Sequence, residues 1–122
     1  MANSFDVHVV VLPLGLYSGS THLPLMKLPA AGGGITILNA ELLGGEGTAI
    51  GGKLVVLSDV GTPALAGTIG SLAGTVTQAA GVPADFTIST AFVDDGQYIG
   101  YDQTSGTIPL GSFISMAYVT GK

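Results

Sequence analysis

The chain has 122 residues, enough for one domain with its own core and too few for a second. It is 47% hydrophobic and only 9% charged, has Lys27, Lys53 and Lys122 as its only basic residues besides two histidines, and carries a net charge of −5. That balance argues against binding nucleic acid or an anionic membrane, both of which draw on clustered Lys and Arg, and the absence of Cys removes disulfides, thiolate metal sites and a Cys nucleophile.

The N-terminal Met1 to Phe5 lacks the positive and long apolar regions of a secretory signal and reads as a short arm, 1–5. Val7 to Leu14 is the first predicted strand, with Val9 and Val11 assigned to the core and Pro13 marking an edge or an exit. His22 to Leu28, Ile35 to Leu43 and Lys53 to Ser58 follow, separated by Gly-rich turns at Gly32-Gly33-Gly34 and Gly44 to Gly52.

Thr62 to Gly81 is the one stretch where a helix competes. Thr62 suits an N-cap and Pro63 a first helical position, and Leu65, Ile69, Leu72, Val76 and Ala80 recur at helical spacing. Gly67, Gly70 and Gly74, with the β-branched Thr68, Ile69, Thr75, Val76 and Thr77, oppose it, so strand plus irregular loop is the better reading. Phe86 to Val93, Gln97 to Tyr101 and Phe113 to Val119 complete the series, joined by Asp94-Asp95-Gly96 and a loop from Thr104 to Gly111. Alternation in Phe86 to Val93 places Phe86, Ile88 and Phe92 near one face, whereas Phe113 to Val119 is apolar on both faces, as in a strand covered twice.

No apolar run reaches the length of a membrane-spanning helix, because Pro, Gly, Ser and Thr interrupt every stretch. The pattern predicts an all-β fold, with residues 1–122 forming a single domain, a β-sandwich or barrel of short antiparallel strands. The expected core is Val9, Val11, Ile35, Ile37, Leu54, Val56, Ile88, Phe92, Ile99, Ile114 and Met116.

Chemistry is sparse. His8 and His22 are the only imidazoles, and nothing in their spacing requires a metal. Asp94, Asp95 and Asp102 flank a short strand but match no calcium-loop spacing, and a turn whose carboxylates cap the backbone explains the first two better. Glu41, Glu46 and Asp59 read as solvated turn residues rather than a glycosidase pair, the serines lack a nucleophile-elbow context, and the Gly-rich loops lack a phosphate-binding ending. No catalytic, cofactor-binding or metal residue is therefore assigned, and the chain is expected not to be an enzyme and to need no cofactor.

The runs Gly33-Gly34-Ile35-Thr36-Ile37-Leu38-Asn39-Ala40-Glu41, Gly81-Val82-Pro83-Ala84-Asp85-Phe86-Thr87-Ile88 and Met116-Ala117-Tyr118-Val119-Thr120-Gly121-Lys122 resemble small virion structural proteins of tailed bacteriophages, of the capsid decoration, cement or minor capsid type. The resemblance implies a β-rich, non-enzymatic subunit, a homotrimer, assembled in the host cytoplasm onto the major capsid protein or another virion component. It brings no catalytic or binding residue with it. The alternatives are a β-sandwich fibre domain or receptor- or glycan-binding module, which would expose aromatics such as Tyr98 and Tyr101, and a small β-barrel enzyme or ligand carrier. The strongly apolar composition itself implies self-association, with Met1 to Phe5 and the loop Leu43 to Gly52 expected to reach a neighbouring subunit.

Overall fold

A computed structural model describes residues 6–14, 22–43, 49–58, 64–73, 76–77, 82–106 and 111–121. They form ten strands: β1 (His8–Pro13), β2 (Leu23–Lys27), β3 (Ile35–Leu43), β4 (Ala49–Leu57), β5 (Leu65–Leu72), β6 (Val76–Thr77), β7 (Ala84–Ile88), β8 (Phe92–Val93), β9 (Tyr98–Ser105) and β10 (Phe113–Thr120). The protein is all-β, and no helix occurs among the described residues.

The strands follow the order β1-β10-β3-β7-β5-β4-β9-β2, with every neighbour antiparallel; β6 pairs with β4, and β8 pairs with β3. The pairs β1–β10, β2–β9, β3–β7/β8 and β4–β5 are nested, first strand with last and innermost with innermost. A nested ribbon of this kind, rolled up so that β10 also lies beside β3 and β9 beside β4, has the connectivity of a jelly roll. Its two ends, β1 and β2, touch without sharing a ladder, which leaves the sheet nearly closed into a barrel.

Side chains on the inner face build the core. Leu12, Ile114 and Leu42 lie side by side across β1, β10 and β3, followed by the row Val10, Met116 and Ala40. On the other wall Leu54 opposes Tyr101 and Val56 opposes Ile99. Ile35, Ile37, Leu54, Val56, Ile99, Ile114 and Met116 are buried as expected. Tyr101 joins them, its hydroxyl donating to Gln103 Oε1 at 2.7 Å. Gly52 makes room for that ring: a Cβ there would run into the Tyr101 phenol.

Three expectations need correction. Val9 and Val11 lie on the outer face and are exposed, while Val10 and Leu12 point inward. Residues 9–12 are apolar without a break, so alternation cannot choose a face there, and the ladder to Met116 and Ile114 chooses it instead. Phe86 to Val93 is not one strand. It bends between β7 and β8, where the N–H groups of Ser89 and Thr90 both donate to the Ile69 carbonyl at 2.8 and 3.1 Å; Phe86 is buried, but Ile88 and Phe92 are only partly so. Finally, the strand covered on both faces is β4, where Leu54 to Leu57 are all buried, whereas the outer side chains of β10, Phe113, Ser115 and Ala117, are half-buried.

Within Thr62 to Gly81 the strand reading holds for β5 and β6, while Thr62 and Pro63 lie outside the described residues. The arm 1–5 and half of the loop Leu43 to Gly52, residues 44–48, also lie outside them; the other half is not loop, since Leu43 ends β3 and Ala49 to Gly52 begin β4.

Candidate functional site

Among the described residues, His8, His22, Asp94, Asp95 and Asp102 all make contacts that hold the fold. The His8 ring stacks on its cross-strand partner Tyr118, with centroids 5.3 Å apart and planes 27° apart. His22 stands just before β2, one rung beyond the Leu23–Tyr101 pair, and its Nδ1 meets Asp102 Oδ1 at 2.7 Å. Lys53 faces Asp102 from the opposite side in the β4–β9 register. This contact fastens the end strand β2 to β9 between residues 80 positions apart.

Asp94 and Asp95 serve a different network. Asp94 Oδ1 accepts the Asp95 N–H at 2.8 Å, Gln97 Oε1 accepts the Asp94 N–H at 3.1 Å, and Asp95 Oδ1 accepts the N–H of Gly34 at 2.7 Å. The Asp-Asp-Gly turn is thereby sewn to the glycine turn, where Gly34 at φ 74° packs so tightly on Phe92 and the Val93 carbonyl that a side chain would collide. Asp102 thus belongs with His22 and not with the other two carboxylates. Among the described residues no three His, Asp or Glu side chains gather where a metal ion could be held.

Two further places invite inspection. Glu41 and Asp85 are direct cross-strand partners on β3 and β7; burial, followed by the hydrogen bond and charge of Asp85, holds the Glu41 carboxyl above the usual carboxylate range. Glu46 and Asp59, considered with Glu41 in the sequence, lie outside the described residues. A recess of about 110 Å³ lies between Leu28, Pro29, Gly34, Ile35, Asp95 and Thr120. It is well below the roughly 300 Å³ at which small-molecule sites begin. Of the two tyrosines suited to stacking a sugar, Tyr101 is inside the core and Tyr98 sits under the Lys27 ammonium, 5.8 Å from its ring centre.

What remains is a surface. Val7, just before β1, and Val9 and Val11 on its outer side are 58%, 67% and 54% exposed. Beside them the outer face continues through Ala117, Ser115 and Phe113 of β10. Sequence reasoning missed this ridge because it placed Val9 and Val11 in the core. The signal was an apolar run too long for a strand with one buried face, interrupted only by His8. Comparison with known proteins adds no relative: no protein-family model matches the chain, and neither a curated protein nor a solved structure matches it significantly.

Proposed function

We propose that this chain is a non-enzymatic structural subunit that works by packing against other protein subunits, and specifically a decoration or cement protein of a phage head. The observation that carries the reading is the valine ridge beside and along β1, an apolar row left in water. The resemblance to small virion proteins supplies the specific role. Jelly-roll connectivity is compatible with it, since the architecture recurs in viral capsid and lectin domains, although fold alone does not decide function. The glycan-binding alternative is the weaker one, because Tyr101 has no ring face to offer a sugar.

Mass spectrometry of purified virions of the phage that encodes the chain tests this reading. The chain should appear in a fixed ratio to the major capsid protein and should leave the particle when the shell is dissociated. Its absence from intact virions would end the virion assignment. Elemental analysis provides a second check: stoichiometric zinc or calcium, lost on His8→Ala or Asp95→Ala, would contradict a purely structural role.

A further inference from the structure

We infer that β1 is the seat of a symmetric contact with a second copy of this chain, in which the two β1 strands pair edge to edge and antiparallel. This inference deepens the structural-subunit reading by naming the first partner, and it rests on a contrast between the two ends of the sheet.

Exposed sheet edges are normally guarded against pairing by charge, proline or cover. β2 is guarded: it carries Pro24 and Lys27 and is tied down beside its start by His22 and Asp102. β1 has neither Lys, Asp nor Glu within its six residues, and its Pro13 stands at the last position, where it does not interrupt pairing. Among the described residues its only ladder is with β10; β2 touches β1 without pairing to it, so the backbone groups on that other edge have no ladder partner there.

The occupant follows from the pattern of side chains. Val7, Val9 and Val11 form a row that reads the same in both directions about Val9. A two-fold axis at Val9 sets Val9 against its own copy and Val7 against Val11 twice, giving β-branched cross-strand pairs that stabilise antiparallel ladders. The neighbouring outer positions on β10, Ser115 and Ala117, are small and uncharged, so two copies, each at −5, meet where no like charge opposes them. The ridge by itself falls short of the roughly 800 Å² per partner of a stable interface. The contact therefore includes the backbone ladder between the two β1 edges. This geometry yields two copies, not the three implied by the resemblance.

The chain has no Cys, so a single cysteine reports the axis without interference. Residues directly opposite in an antiparallel pair have Cβ atoms about 4.5–5.5 Å apart, near enough for a disulfide after small adjustments. Val9→Cys should be captured as a covalent dimer under mild oxidation at micromolar concentration. Val82→Cys, also well exposed at 56% but away from β1, should remain largely monomeric. Val9→Lys should weaken association at least tenfold while the circular dichroism spectrum and melting temperature stay those of the parent. Equal cross-linking at positions 9 and 82, association unchanged by Val9→Lys, or a mass of one or three chains would overturn the pairing. Any of these results, obtained with a chain still found in virions, removes the β1 contact and leaves the structural-subunit reading standing.

Discussion

Replacing Ile114 by Ala probes the packing of the barrel wall most severely. Ile114 has no exposed surface and lies between Leu12 of β1 and Leu42 of β3, so the change removes three carbon groups from the middle of an inner-face row. At about 0.8 kcal/mol per buried methylene the lost transfer energy is roughly 2.4 kcal/mol. The void left by groups occupying about 80 Å³ adds up to about 2 kcal/mol if the neighbours do not collapse, at about 24 cal/mol per Å³. The expected loss is therefore about 2.5–4.5 kcal/mol. Urea denaturation should show it as a lower midpoint at unchanged slope, and Val9→Ala, measured at concentrations too low for self-association, should stay within about 0.5 kcal/mol of the parent. A loss under about 1 kcal/mol for Ile114→Ala, or a larger loss for Val9→Ala, would refute both the inner-face row and the assignment of β1 faces.

Other consequences are smaller and equally specific. Gly52→Ala should cost roughly 1–3 kcal/mol in the same urea assay, because its methyl group would displace the buried Tyr101 ring. A double-mutant cycle on His22→Ala and Asp102→Ala should give a coupling of about 0.5–1 kcal/mol, as suits a partly exposed pair fastening an end strand. Burial first, then the hydrogen bond and charge of Asp85, make Glu41 hold its proton more tightly in the folded chain than in the unfolded one, so its ionised form is a penalty present above its native titration and relieved as pH falls below it. Asp85→Asn removes only the lesser part of that penalty and should raise stability near pH 7 by roughly 0.2–1 kcal/mol, toward the low end because Asp85 is exposed, and change nothing near pH 3. Melting temperatures across that range check the sign.

Legibility in the sequence followed the distance over which each feature is decided. Ile35 to Leu43 coincides with β3 because its β-branched start and flanking glycines are local signals. The competing helix over Thr62 to Gly81 gave way to β5 where Gly67, Gly70 and the β-branched residues opposed it. The phase of β1 was not readable, since four successive apolar residues fit either face until Met116 and Ile114, a hundred positions away, select one. The His22–Asp102 contact was hidden for the same reason: 80 positions separate the two residues, and only the β2–β9 ladder brings them together. The contrast between a guarded β2 edge and an open β1 edge depends on knowing which strands end the sheet, a property of topology alone.

The central claim is that this fold acts through its surface, by associating with other subunits, and the most direct measurement is the mass of the purified chain in solution across concentration. Sedimentation equilibrium from nanomolar to tens of micromolar should show a rise from 12.1 kDa to twice that mass, reversible on dilution and moved at least tenfold higher in concentration by Val9→Lys. A mass of 12.1 kDa at every concentration, from a protein that also fails to bind any viral shell, would contradict the account.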